Sequence, residues 1–270
     1  MNDSHRQRSV AAYWERDGLH AALFEALAAL DKPLAALGID DLAPLDQFHG
    51  GGKAVTTRLA RLADLQSGMR VLDVGGGLGG PARTLAVEHG CSVIVLDLAE
   101  SYVAAGAALT ALLGLGDRVT HLAGSALELP FADGAFDVVW TQNSGMNIAG
   151  KQRMVEGFRR VLRPGGRYVF QEPMAGPVQP PHFPLMWADD PSTNHLLTPA
   201  QMRAVVERAG FAVRAWEDVT AEASGGRAPP HGRSIQSIVM GERLAAIGEN
   251  GRRNRDEGRV VVVQAVCARP

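Results

Sequence analysis

Residues 71–86 read VLDVGGGLGGPARTLA, and within this run the chain changes character twice. Val71 to Val74 is a short apolar, β-branched segment. Gly75, Gly76, Gly77, Gly79 and Gly80 then form a turn, and Pro81 opens a helix. Glycine admits φ > 0 and lets the backbone approach a ligand closely. Proline suits the first helical turn, whose free N–H groups and positive dipole end face an anion. The stretch is a strand, a cradle and a helix, the opening of a βαβ unit.

Working outward, runs of the same kind recur as RVLDV, SVIVLD, RVTHLAG, FDVVWT and GRYVFQE, separated by helix-like segments. Continuous apolar runs of this length suit strands buried on both faces of a parallel sheet. Phe211 to Glu217 and Val260 to Cys267 complete seven strands. Upstream, Leu23, Phe24, Leu27, Leu30 and Leu34 recur at roughly helical spacing, with Pro33 near a break, so residues 1–60 read as an N-terminal helical cap on a core of residues 61–270. The core carries insertions at about 173–198 and 221–258. The first holds Pro173, Pro177, Pro180, Pro181, Pro184 and Pro191 and reads as a long loop over a site. Thr198-Pro199-Ala200-Gln201 is a capping box with proline at the first helical position, and Gly210 ends that helix. In the second insertion SGGRAPPHG reads as loop, Ser234 to Glu249 as an amphipathic helix and RRNRDEGR as an exposed connector.

Composition narrows the function. The 270 residues carry 27 basic and 29 acidic side chains, a formal charge of −2, so no basic field invites nucleic acid. No stretch approaches the ~18 apolar residues of a membrane span, and the N-terminus lacks a signal-peptide core, so a cytoplasmic protein without a membrane partner is expected. Cys91 and Cys267 are too few for a disulfide framework or a cysteine zinc site, and no metal is expected. A homodimer stays open.

The cradle alone is ambiguous, because Gly75, Gly77 and Gly80 also satisfy the dinucleotide pattern G-x-G-x-x-G. Asp97, ending the second run, can accept hydrogen bonds from ribose hydroxyls under either reading, or cap the next helix. The downstream segments discriminate: Gly124-Ser125-Ala126-Leu127-Glu128-Leu129-Pro130-Phe131, Phe136-Asp137-Val138-Val139-Trp140 and Arg160-Val161-Leu162-Arg163-Pro164-Gly165-Gly166. With these the chain resembles the class I S-adenosylmethionine-dependent methyltransferases of the type 11 or UbiE-like family, over about residues 46–220. Asp46-Gln47-Phe48-His49 before Gly50 resembles a segment of sarcosine and dimethylglycine N-methyltransferases.

The resemblance implies a Rossmann-like, doubly wound α/β sheet of order 3-2-1-4-5-7-6 with the last strand antiparallel. It implies S-adenosylmethionine as cofactor. Asp73 and the turn at Gly75, Gly77 and Gly79 would hold its methionine part, Asp97 the ribose, and Leu98, Ser125 and Ala126 the adenine. Gln142 would line the reactive methyl. Many members have Asp where Ser125 stands, so that contact weakens or passes to backbone. Many O-methyltransferases of the family carry a histidine pair where this chain reads Asn143-Ser144-Gly145.

Methyl transfer is an in-line displacement, and holding the partners in line supplies ~7–11 kcal/mol, with a base optional. The candidates at the reacting end are His49, Asn143 and Glu172, with Asn147 and His195 behind them. Glu172 closes the fifth run, where strand ends face the ligand crevice. Tyr13, Trp14 and Phe48 could wall the substrate or form the cap's own core, and packing is the simpler reading of Trp187. The expected acceptor is a small molecule, an amine by the DQFH segment, or a phenol, quinone, prenyl or other apolar compound methylated on oxygen or carbon. An NAD(P)-dependent oxidoreductase and a non-catalytic cofactor-binding protein are the competing classes.

Overall fold

The computed structural model describes residues 3–223 and 233–270, and the loop read at Ser224 to Gly232 lies outside them. The strands are β1 (Arg70–Val74), β2 (Ser92–Asp97), β3 (Val119–Ala123), β4 (Phe136–Gln142), β5 (Leu162–Ala175), β6 (Ala212–Asp218) and β7 (Val260–Ala268). They form one sheet of order β3-β2-β1-β4-β5-β7-β6, parallel throughout except for β7, which runs antiparallel to β5 and β6. Strand β1 is followed by β2 on one side and reaches β4 on the other. The sheet winds outward in both directions from that point, and the crevice at the carboxyl ends of such strands takes ligands.

Four helices precede the sheet: α1 (Asp3–Trp14), α2 (Leu19–Ala28), α3 (Ile39–Asp46) and α4 (Gly52–Leu62). Within it lie α5 (Gly80–His89), α6 (Glu100–Leu112), α7 (Lys151–Val161) and α8 (Pro199–Arg208), and between β6 and β7 lie α9 (Thr220–Ala223), α10 (Ile235–Met240) and α11 (Leu244–Asp256). Strand alternation sorts the core into two layers. Leu72, Val74, Leu96 and Val139 pack with Phe158 of α7 and Val206 of α8, while Val71, Val93, Val95, Val138 and Trp140 pack with Leu59 of α4 and Leu85 of α5. A third cluster joins Leu23 and Leu27 of α2 to Tyr102 and Leu109 of α6 and Val239 of α10. Both cysteines are buried and free. Among the described residues no helix is long and apolar enough to cross a membrane.

The capping box at Thr198 and Gln201 forms as the spacing predicts. Three readings need correction. Pro173 lies inside β5, paired with Val262 of β7, rather than in a loop. Its missing donor is tolerated because β4 pairs with β5 only as far as Gln171, and Ala175, two residues on, already turns its N–H away from β7 to Leu197 O. The arginine-rich run at 252–259 is not a connector, since α11 continues through it to Asp256. Gly241 at φ 54° breaks the helix expected over 234–249 into α10 and α11. Asn254 is buried in α11 and clamps the backbone N–H and C=O of His182, an inward face that the surrounding arginines disguise.

Candidate active site

The turn between β1 and α5 is tied down from both neighbours. Gly75 N donates to Leu96 O at 2.7 Å, and Asp97 at the end of β2 accepts from Gly77 N at 2.8 Å and Ala99 N at 3.0 Å. Asp97 therefore fixes the chain leading into α6 and braces the glycine turn at once. Gly75 sits at φ 68°, and a Cβ there would stand 2.3 Å from Ser144 Cβ, so the turn and the loop after β4 close together only through glycine.

These elements wall a cavity of about 450 Å³ at the carboxyl ends of β1, β2 and β4. Asp73, Gly75, Gly77, Asp97, Leu98, Ser125, Ala126 and Gln142 line it, as do His49 and Asn143. Gly79 and Glu172 do not. Gly79 is the N-cap of α5 at φ 77° and serves the turn's shape. The Glu172 carboxylate accepts from Gly145 N at 3.0 Å and Ser144 N at 3.2 Å, fastening the loop after β4 from behind. Lys151 Nζ fastens the same loop, donating to Gly145 O at 2.7 Å and His195 O at 2.9 Å. His195 thus contributes its backbone, and its ring does not line the cavity.

Several buried polar atoms on the wall have no partner among the described residues. Gln142 Oε1 accepts from Trp140 Nε1 and Thr56 Oγ1, which orients the amide and leaves Nε2 unpaired. Asn143, held in the left-handed region at φ 53°, leaves Oδ1 unpaired. Asp73 is 1% exposed with Oδ2 unpaired. Orphaned atoms of this kind cost ~1–3 kcal/mol each unless a ligand meets them. Ribose hydroxyls, an amino-acid end and a sulfonium bring the donors, acceptors and charge these atoms lack, so the residues fit S-adenosylmethionine.

His49 Nε2 lies 2.9 Å from Gln47 Oε1 and 3.2 Å from Thr56 Oγ1, and burial lowers its pKa to about 4, leaving a neutral ring. Burial and then the charge of Asp97 push the Asp73 carboxyl up to about 8. Unfolded, that group ionises near ~4. The ligand-free native state therefore holds a proton that the unfolded chain has released, and stability from this group is lost as pH rises from ~4 to 8. Asp73→Asn is expected to flatten the fall in the ligand-free thermal midpoint across that window; an unchanged slope by calorimetric scanning counts against it.

The helix α1 closes the cavity from outside. Trp14 Nε1 donates to Asn147 Oδ1 at 3.1 Å, Tyr13 OH donates to Met186 O at 3.1 Å, and the Glu15 carboxylate accepts from the N–H groups of Glu100 and Ser101 at the start of α6. Trp14 meets Tyr13, Phe48 and Tyr102 edge to face. Trp187 also lines the cavity, where packing alone had been expected. Sequence reasoning missed the ion pair of Asp46 and Arg83, buried beside the turn. The signal available was an arginine among small residues in PARTLA, where a solvated charge has no place.

Residues 71–166 match the family model described as a methyltransferase domain. The glycine/sarcosine/dimethylglycine N-methyltransferase of Actinopolyspora halophila is 36% identical over 132 residues, 49% of this chain and 23% of that protein. The probable chloroplastic tocopherol O-methyltransferase of Oryza sativa subsp. japonica is 41% identical over 99 residues, 37% of this chain and 27% of that protein. Residues 71–166 therefore carry a methyltransferase domain. The chain spans about a quarter of the length of those two relatives, and about half of the sarcosine/dimethylglycine N-methyltransferases it also matches. Its fold is shared over 98% of the chain with the geranyl diphosphate C-methyltransferase of Streptomyces coelicolor A3(2), at TM-score 0.73, 17% identity and 98% coverage of that chain. The nicotinamide reading of the glycine turn gives way to the methyltransferase one. Relatives that methylate nitrogen, oxygen and carbon all match, so the preference for an amine that the DQFH segment suggested finds no selective support.

Proposed function

We propose that the methyltransferase transfers the methyl group of S-adenosylmethionine to an apolar, neutral or anionic small molecule. The carrying observation is how charge divides over the cavity wall. All three acidic residues that line it, Asp46, Asp73 and Asp97, stand against the glycine turn or at the ends of β1 and β2. The remaining wall, with Trp14, Met146, Leu185, Trp187, Val260 and Val262, presents no carboxylate among the described residues. Arg255 of α11 joins that wall, and its guanidinium makes no hydrogen bond or ion pair among the described residues. With Arg255 as its charge, such a wall favours an anion or an apolar body over an ammonium.

Asp97 and the turn at Gly75 and Gly77 would hold the ribose and methionine parts, Leu98, Ser125 and Ala126 the adenine, and Gln142 Nε2 would face the reacting end. Bound there, the cofactor supplies an electrophilic methyl on a sulfonium. His49 and Asn143 orient the acceptor, and Glu172 acts through Asn143 by holding the loop after β4. With its proton affinity lowered, His49 is a weak base, which suits a carbon nucleophile or an oxygen that arrives ionised.

Two measurements test this. S-adenosylhomocysteine at a hundredfold excess over its Kd is expected to add ~2.7 kcal/mol and raise the thermal midpoint by roughly 5–11 °C, with NAD and NADP inert. Methyl-labelled cofactor is then offered with apolar phenols, prenyl compounds and their acidic derivatives, beside sarcosine and dimethylglycine. Label entering the apolar set alone supports the assignment; turnover of the amines overturns it.

A further inference from the structure

Asp46 ends α3 and Arg83 lies in α5, yet the two side chains meet at 2.9 Å with only 3% and 0% of each residue exposed. Both terminal nitrogens of the guanidinium are committed, while Nε has no partner among the described residues. The guanidinium donates to Asp46 Oδ2, to Leu78 O at 2.6 Å, to Thr110 Oγ1 at 2.9 Å and to Gly106 O at 3.2 Å, fixed between the glycine turn and α6, and Arg83 does not line the cavity. Asp46 does line it. Its second carboxylate oxygen, Oδ1, is buried without a partner among the described residues.

The position of that oxygen says what would meet it. A Cβ on Gly80 would stand 2.7 Å from Oδ1, which places the oxygen against the first turn of α5. The free N–H groups of that turn suit a carboxylate, and Asp46 beside them suits a cation. An α-amino acid carries both charges on one carbon. The other acids on the wall are less suited to the cation. Asp97 accepts two backbone N–H groups, and Asp73 has no cation partnering it while burial and Asp97 push it up to about 8. At Asp46 burial also raises the carboxyl, but Arg83 opposes it directly.

We propose that Asp46 receives the α-ammonium of the cofactor's amino-acid end on Oδ1, with Arg83 as the positioning residue that holds Oδ2 and fixes the carboxylate in place. The assignment rests on the reading that the glycine-turn end of the cavity holds S-adenosylmethionine. It also accounts for a buried arginine beside the turn. The cofactor's carboxylate and ammonium bring one charge of each sign, and the Asp46 charge that would meet the ammonium is itself balanced by Arg83, so the closed site gains no net charge from the amino-acid end.

The test is calorimetric binding to the full chain of two ligands, S-adenosylhomocysteine and its analogue lacking only the α-amino group. Wild type is expected to prefer the amino-bearing ligand by about 10–100-fold, the range of a charge-assisted hydrogen bond. Asp46→Asn should erase most of that preference by weakening S-adenosylhomocysteine, while the analogue changes by less than ~3-fold. The wild-type comparison needs no variant and stands even if Asp46→Asn folds poorly. Equal binding of both ligands by wild type overturns the assignment. So does an Asp46→Asn variant that weakens both alike, which marks a purely structural role, and so does loss of the preference in Asp73→Asn instead. If wild type binds S-adenosylhomocysteine not at all, the cofactor reading itself fails, a result distinct from any of these.

Discussion

Replacing Asp97 with alanine is expected to weaken S-adenosylhomocysteine binding by at least ~100-fold while the sheet stays folded. A carboxylate that accepts from both ribose hydroxyls contributes ~1.5–3 kcal/mol per hydrogen bond, so losing two amounts to ~10²–10⁴ in affinity. The same carboxylate accepts from Gly77 N and Ala99 N, so the variant also loses two hydrogen bonds that brace the turn. Losing two such bonds costs about 1–3 kcal/mol, or roughly 2–12 °C in midpoint for a chain of this size. Titration calorimetry and thermal unfolding separate the two effects. Near-wild-type affinity in a folded variant would remove Asp97 from the site.

The largest stability effect belongs to Arg83. Arg83→Met leaves the Asp46 carboxylate buried without its cation, and breaking a buried pair from one side costs ~3–5 kcal/mol. At about 2–4 °C per kcal/mol, the ligand-free midpoint should fall by roughly 6–20 °C. Combining it with Asp46→Leu should recover part of the loss, because the stranded charge leaves with its partner. A midpoint unchanged in Arg83→Met would show that the pair is solvated rather than buried.

The fold was legible because strands buried on both faces leave unbroken apolar runs. Val71 to Val74 and Val138 to Trp140 advertise themselves in a way that no surface strand does. The cofactor end was legible for a related reason. A tight turn against Ser144 demands glycine at 75, and strand ends put Asp73, Asp97 and Gln142 at the crevice whatever the ligand. What escaped the sequence depends on direction. Glu172 does close a parallel strand at the crevice, but whether its carboxylate enters the cavity or turns back to Gly145 N is decided by the loop after β4. The pair of Asp46 and Arg83 spans 37 residues between two helices, a contact that no local pattern announces. The later half of helix α11 was hidden by its own composition, since the three arginines at 252, 253 and 255 outweigh the buried Asn254 among them.

The fastening of α1 carries a kinetic meaning. This helix takes no part in the sheet, and it is held over the cavity by Trp14 among apolar neighbours and by a few hydrogen bonds from Tyr13, Trp14 and Glu15. A segment secured this way opens by local unfolding at a small fraction of the free energy that guards the core. Ligand traffic can then proceed by peeling back the single helix α1, with the seven-stranded framework left undisturbed between successive turnovers.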